Sequence, residues 1–149
     1  MQETIDKIGN LLGQAHAYFT SHDEETVCMP IAEGKWSRKQ IIGHLIDSAL
    51  NNLQRFTEIG YQPQPYRYRE YNQDELVAVN DYQNADTIEL LRLWILLNRQ
   101  IIRVIAAQTE QRLNLKVQFT DGAISDLRFL IMDYPEHMEH HVKQLTMDN

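Results

Sequence analysis

Three of the six histidines fall in one stretch near the end of the 149-residue chain, Asp133-Tyr134-Pro135-Glu136-His137-Met138-Glu139-His140-His141-Val142. His137 and His141 are four residues apart, and on a helix residues at that spacing stack on one face. Two imidazoles so placed can grip one metal ion if a third ligand arrives from elsewhere in the fold. The competing reading is a pair of core histidines satisfied by hydrogen bonds, because an inward pair is costly to bury without partners. The Glu of the zinc-protease His-Glu-x-x-His pattern is missing, since Met138 follows His137. A three-imidazole site would leave the cation's charge intact and coordination positions open. It would suit either the acidification of a water, to a pKa of about 7, or the binding of a thiol as thiolate.

The element that carries the pair reads as a helix over about 126–146, capped by Ser125, with an apolar stripe of Leu127, Leu130, Ile131, Tyr134, Met138 and Leu145. Helical phase puts His141 within that arc and His137 at its edge, and turns His140 roughly 140° away. Pro135 is expected to kink the helix. Asp133, one turn before His137, is a candidate acceptor to orient that imidazole.

A second helix opens at Trp36-Ser37, where Ser37 and Gln40 form a capping box. Its stripe is Ile42, Leu45, Ile46, Ala49, Leu53 and Phe56. His44 lies roughly 150° from the centre of that stripe, on a flank with Ile41 and Ser48. Either His44 faces water or this flank lines a cleft, and periodicity by itself slightly favours water. The first helix spans about residues 2–21. His16 sits beside its apolar stripe and reads as a partly buried histidine, whereas His22 reads as a solvated end residue. Cys28 has no close basic neighbour in sequence and reads as a small buried hydrophobe.

Residues 60–85 form an irregular, tyrosine-rich connection with Arg67 and Arg69 interleaved and a short helix near 74–80. It is either a cap over a ligand pocket or a crossover that packs its rings on the bundle. The third long helix, about 86–108 and capped by Asp86, has so wide an apolar arc that it must be either the most buried helix or part of a dimer interface. Asn98 within that arc needs a partner or a cavity. Residues 113–119 alternate like a strand, Thr120-Asp121-Gly122 reads as a turn, and Ala123-Ile124 can pair back as a short hairpin.

The length fits a single domain over 1–149, large enough to bury a core without a structural metal. A formal net charge of −7 argues against nucleic acid as a partner, although local arginines leave room for a small anionic ligand. One cysteine, no signal-peptide pattern and no run of transmembrane length point to a cytoplasmic protein with no membrane partner.

Gly43-His44-Leu45-Ile46-Asp47-Ser48, followed by Asn51 or Asn52, resembles the signature of the DinB/YfiT-like superfamily, as does His137-Met138-Glu139-His140-His141. Trp36-Ser37 and Tyr71-Asn72 fit the same resemblance, which runs in order along nearly the whole chain. It implies an all-α four-helix bundle with a long crossover. It also implies a divalent metal, nickel or zinc, on His44, His137 and His141, and often a dimer. The activities it implies are thiol S-transfer with a low-molecular-weight thiol as cosubstrate, or metal-dependent hydrolysis. On that resemblance a thiol S-transferase acting on a small-molecule substrate is the expected function, and a non-catalytic dimeric binding protein is the rival. Asp47, one turn from His44, is then a candidate catalytic base or orienting group. Arg67, Arg69 and Tyr71 are candidates for holding an anionic thiol.

Overall fold

The computed structural model describes residues 1–147. Its helices are α1 (Gln2–Ser21), α2 (Glu24–Cys28), α3 (Arg38–Glu58), α4 (Gln73–Val79), α5 (Thr87–Ala106), α6 (Glu110–Leu113) and α7 (Leu127–Thr146). The four long ones, α1, α3, α5 and α7, make the bundle. Each of α1 and α3 packs against both α5 and α7, so α1 and α3 stand diagonally opposed. Consecutive helices of an up-down-up-down bundle are neighbours. Here the α1–α3 and α5–α7 connections instead cross the bundle, while the long α3–α5 connection, which carries α4, joins neighbours. No helix among the described residues is long and apolar enough to cross a membrane.

Helix starts follow local chemistry. Ser37 and Gln40 form the expected capping box, and Asp86 accepts from the Glu89 amide at 2.8 Å. α7 is capped by Asp126 rather than by Ser125: the Asp126 carboxylate accepts from the Phe129 amide at 3.0 Å, while Ser125 is still in a strand. α7 runs without interruption through Pro135. The alternating stretch 113–119 is only partly a strand. Thr109 caps a helical turn that takes in Leu113, and pairing is confined to β2 (Lys116–Gln118). The expected hairpin forms with β3 (Ile124–Asp126), with Gln118 opposite Ile124 and Lys116 opposite Asp126. A strand not expected in the irregular connection, β1 (Tyr66–Arg67), pairs parallel to β2 with Tyr66 opposite Val117.

α3, not α5, is the most enclosed helix. Every residue from Ile41 to Ala49 is buried, because α5, α7, α2 and α4 surround this half. Buried Arg38 donates to the carbonyls of Leu145 (3.1 Å) and Met147 (2.9 Å), so a cation caps the C-terminal end of α7. That contact, with Lys7 bridging Glu136 and Glu139, fixes α7 against α3 and α1. α5 leaves Ile88, Leu93 and Leu96 exposed. Asn98 is satisfied as expected, accepting from the Tyr134 hydroxyl at 2.6 Å.

Gly43 permits a close approach that sets the site. A Cβ there would stand 2.2 Å from the ring of Tyr82, which lies in a 3-10 turn (Tyr82–Asn84) packed on α3. Gly43→Ala is expected to destabilise the protein by about 1–3 kcal/mol, with overpacking outweighing the better helix propensity of alanine. Urea denaturation reads this, and an unchanged midpoint would mean that Tyr82 is free to move.

Candidate metal centre

His44 comes from the enclosed half of α3 and is only 1% exposed. His137 and His141 are half-buried on successive turns of α7, and His140 is exposed, as helical phase predicts. The reading of His44 from periodicity alone is corrected: it faces a cleft rather than water, because α7 and α4 cover the flank opposite its apolar stripe. One nitrogen from each of the three rings lies within 4.8 Å of the others. His44 Nε2 is 3.2 Å from His137 Nε2, and the His141 ring centroid is 4.5 Å from that of His44 and 4.7 Å from that of His137.

These residues fit a divalent cation. Two nitrogens at about 2.0–2.1 Å from one tetrahedral ion stand about 3.3–3.4 Å apart, close to the observed pair. The far nitrogens of His141 and His137 are partnered in the sense a ligand needs. Gln144 Oε1, an acceptor, is 2.9 Å from His141 Nδ1, so Nδ1 carries the proton and Nε2 keeps its lone pair. Ser48 Oγ is 3.4 Å from His137 Nδ1. The expected role of Asp133 is thereby corrected: it is exposed on the cavity wall, and Ser48 from α3 takes its place. His44 Nδ1 is buried without a hydrogen-bond partner.

Burial, with the neighbouring imidazoles adding to it, pushes His44 down to about 3 and His141 down to about 4, and it lowers His137 as well. All three are neutral donors at pH 7. An unfolded histidine takes up its proton near pH 6.5, whereas folded His44 does so only near pH 3. Between those values the unfolded chain binds more protons, so stability falls as pH falls. The metal-free protein is expected to lose thermal stability from pH 6.5 downward, and His44→Leu should flatten that limb. Equal slopes for the two proteins would contradict the shift.

Two cavities open on the triad at successive levels of α3 and α7. One, of about 280 Å³, reaches His137 between Ser48, Arg55, Tyr68, Tyr71 and Asp133. The other, of about 320 Å³, reaches His141 between Trp36, Lys35, Asp74 and Gln144. Gln73, at the start of α4, borders both. Tyr71 is therefore in the wall beside the triad. Arg67 and Arg69 are exposed and border a separate groove with Gln62, Pro63 and Pro65. Asp47 is buried, and its Oδ1 accepts from Tyr82 Oη (2.6 Å) and Asn80 Nδ2 (3.0 Å). Burial raises its carboxyl above the ordinary value despite those bonds.

Sequence reading missed Arg55. The signal was there: His44, Ser48 and Arg55 lie at i, i+4 and i+11, within about 40° on one helical face. His16 is exposed beside Thr20 and Arg92 in a groove between α1 and α5, rather than partly buried, and His22 stacks on Tyr18 at 3.9 Å instead of being fully solvated. Cys28 is half-buried, with Lys39 Nζ 3.9 Å from its sulfur, yet burial still raises its pKa.

The model of the DinB superfamily matches residues 12–145. The chain belongs to the DinB superfamily. A relative from Halalkalibacterium halodurans, named "Putative metal-dependent hydrolase BH0277", is 26% identical over 145 residues, covering 97% of this chain and 84% of its own. Among solved structures, YfiT from Bacillus subtilis, described as "a probable metal-dependent hydrolase with an unusual four-helix bundle topology", superposes with a TM-score of 0.87 at 20% identity. That match covers 97% of this chain and 83% of YfiT. The mycothiol-dependent maleylpyruvate isomerase matches with a TM-score of 0.73 at 15% identity, covering 97% of this chain but 60% of the isomerase. The diagonal placement of α1 and α3 is thus this DinB-type four-helix bundle, and the chain also carries a small three-stranded sheet.

Proposed function

We propose that this DinB-superfamily protein is a metal-dependent enzyme that transfers a low-molecular-weight thiol to a small electrophile, with zinc or nickel held by His44, His137 and His141. The single observation that carries the transfer reading is the pair of cavities that reach one triad, one at His137 and the other at His141. A reaction of two organic substrates needs two approaches, whereas hydrolysis needs one substrate and water. A cation held here supplies Lewis acidity that keeps a thiol, ordinarily of pKa about 8.5, deprotonated near neutral pH. Ser48 and Gln144 orient the imidazoles. Tyr68, Tyr71 and Trp36 shield the approaches from bulk water, and Tyr71 contacts one substrate. Asp47 acts as a positioning residue: through Tyr82 and Asn80 it holds α4, whose Gln73 separates the two cavities. Sulfur forms the new C–S bond with its own electron pair, the leaving group departs with the bonding pair, and the thiol proton passes to water.

The test is turnover of chloro-dinitrobenzene and of an epoxide with added thiols, before and after metal removal. Product that requires both thiol and metal, and is lost in His137→Ala and His141→Ala, supports the reading. Metal-dependent ester cleavage that ignores thiols would instead establish the hydrolase alternative, which the named relatives favour.

The exposed Ile88, Leu93 and Leu96 of α5 support a homodimer through that helix. Sedimentation at increasing concentration tests it, with Leu96→Glu expected to shift any dimer to monomer.

A further inference from the structure

Arg55 is a buried cation with no anion. It is 4% exposed, and among the described residues its guanidinium pairs with no carboxylate. Its Nη1 donates to Asn52 Oδ1 at 3.3 Å and its Nη2 to the Arg69 carbonyl at 2.5 Å. The face of Tyr68 lies 4.0 Å from its Cζ and that of Tyr71 lies 5.6 Å away. Two of its five N–H donors are thus used, both on neutral acceptors. The carboxylates nearby do not serve it: Glu70 accepts from Thr120 Oγ1 at 2.5 Å, and Glu58 takes the Tyr66 hydroxyl at 2.9 Å. A buried charge without a counter-charge is costly, and this one borders the cavity that also reaches His137.

We propose that Arg55 anchors a carboxylate of the molecule that occupies the cavity beside His137. The planar fork of guanidinium matches a carboxylate in two parallel hydrogen bonds. A single cation on a wall that also carries Glu70 and Asp133 fits a singly charged carboxylate better than a dianionic phosphate. Tyr68 and Tyr71 lie beside the guanidinium, and three of its five N–H donors are left for a ligand. One end of the ligand is then fixed on α3 while its other end reaches the triad. The inference rests on the proposed function only for the presence of a substrate in this cavity.

The experiment titrates metal-stripped full-length protein with benzoate, which removes any carboxylate–metal bond from the readout. Wild-type protein is expected to bind benzoate, and Arg55→Met to weaken it about tenfold or more, with Arg55→Lys in between. Benzyl alcohol should bind both equally. Benzoate that binds Arg55→Met as tightly as wild type, or fails to bind wild type, overturns the proposal. Inorganic phosphate that displaces benzoate at lower concentration would overturn the choice of carboxylate. Because Arg55 also ties residues 69 and 52 together, a folding-independent measurement accompanies this: wild-type crystals soaked in 4-bromobenzoate. The bromine signal should place the carboxylate within about 3.2 Å of the guanidinium, and a bromine lying elsewhere contradicts the proposal. Failure here leaves thiol transfer standing. Conversely, intact benzoate binding without any thiol turnover removes the proposed function and keeps the anchor.

Discussion

Alanine at His137 or at His141 is expected to lower zinc affinity by more than about 100-fold, since loss of even an outer partner of a metal ligand costs about 10–100-fold. Alanine at His140 should leave affinity within error of wild type. The three positions lie within five residues of each other on α7, and helical phase separates them, as the structure bears out. His137 and His141 turn their rings toward His44, with centroids 5.2 and 4.5 Å from it, while His140 is exposed and meets Gln144. Competition titration against a chromophoric chelator gives the three affinities in one assay. A loss at His140 equal to that at His137 would mean that α7 is rotated from its described orientation.

The second large effect is expected one layer out. Ser48→Ala should weaken metal binding by about 10–100-fold while leaving the triad in place, because the hydroxyl is the partner of His137 Nδ1. Asp133→Asn should change little, since that carboxylate is exposed and orients no ligand. The same chelator assay decides between them. A reversal, with Asp133 mattering and Ser48 not, would restore the orientation that sequence spacing suggests and would require a different rotamer of His137.

Those two residues show where the chain can be read in advance and where it cannot. The α7 pair was legible because a helix has a fixed period, and the phase that excludes His140 needs no tertiary information. The caps at Ser37 and Asp86 were legible for the same local reason. His44 was not legible from periodicity: a residue roughly 150° off the apolar stripe faces water on a two-sided helix. Its place in the triad was implied by family resemblance. α3 is covered on all sides over its first half, so its apolar stripe marks only one of its contacts. Ser48 was placed on the flank of His44 without its role toward His137, and Arg55 on the same face went unread. β1 was hidden because its partner, β2, lies about fifty residues away and the ladder is two residues long. The cation in the cavity wall proved to be Arg55, buried on a helix. The sequence drew attention to Arg67 and Arg69, which stand among tyrosines but border a different groove.

The proposed chemistry requires that His44, His137 and His141 hold one divalent cation. Elemental mass spectrometry on protein purified without a histidine tag or chelator, beside His44→Ala, tests it most directly. About one zinc or nickel per chain is expected in the wild type and almost none in the variant, as three imidazoles on one ion require. No metal in the wild-type protein, even after reconstitution, would contradict it and leave one buried and two half-buried histidines sharing hydrogen bonds. Equal metal in both proteins would contradict it too, by placing the ion away from His44.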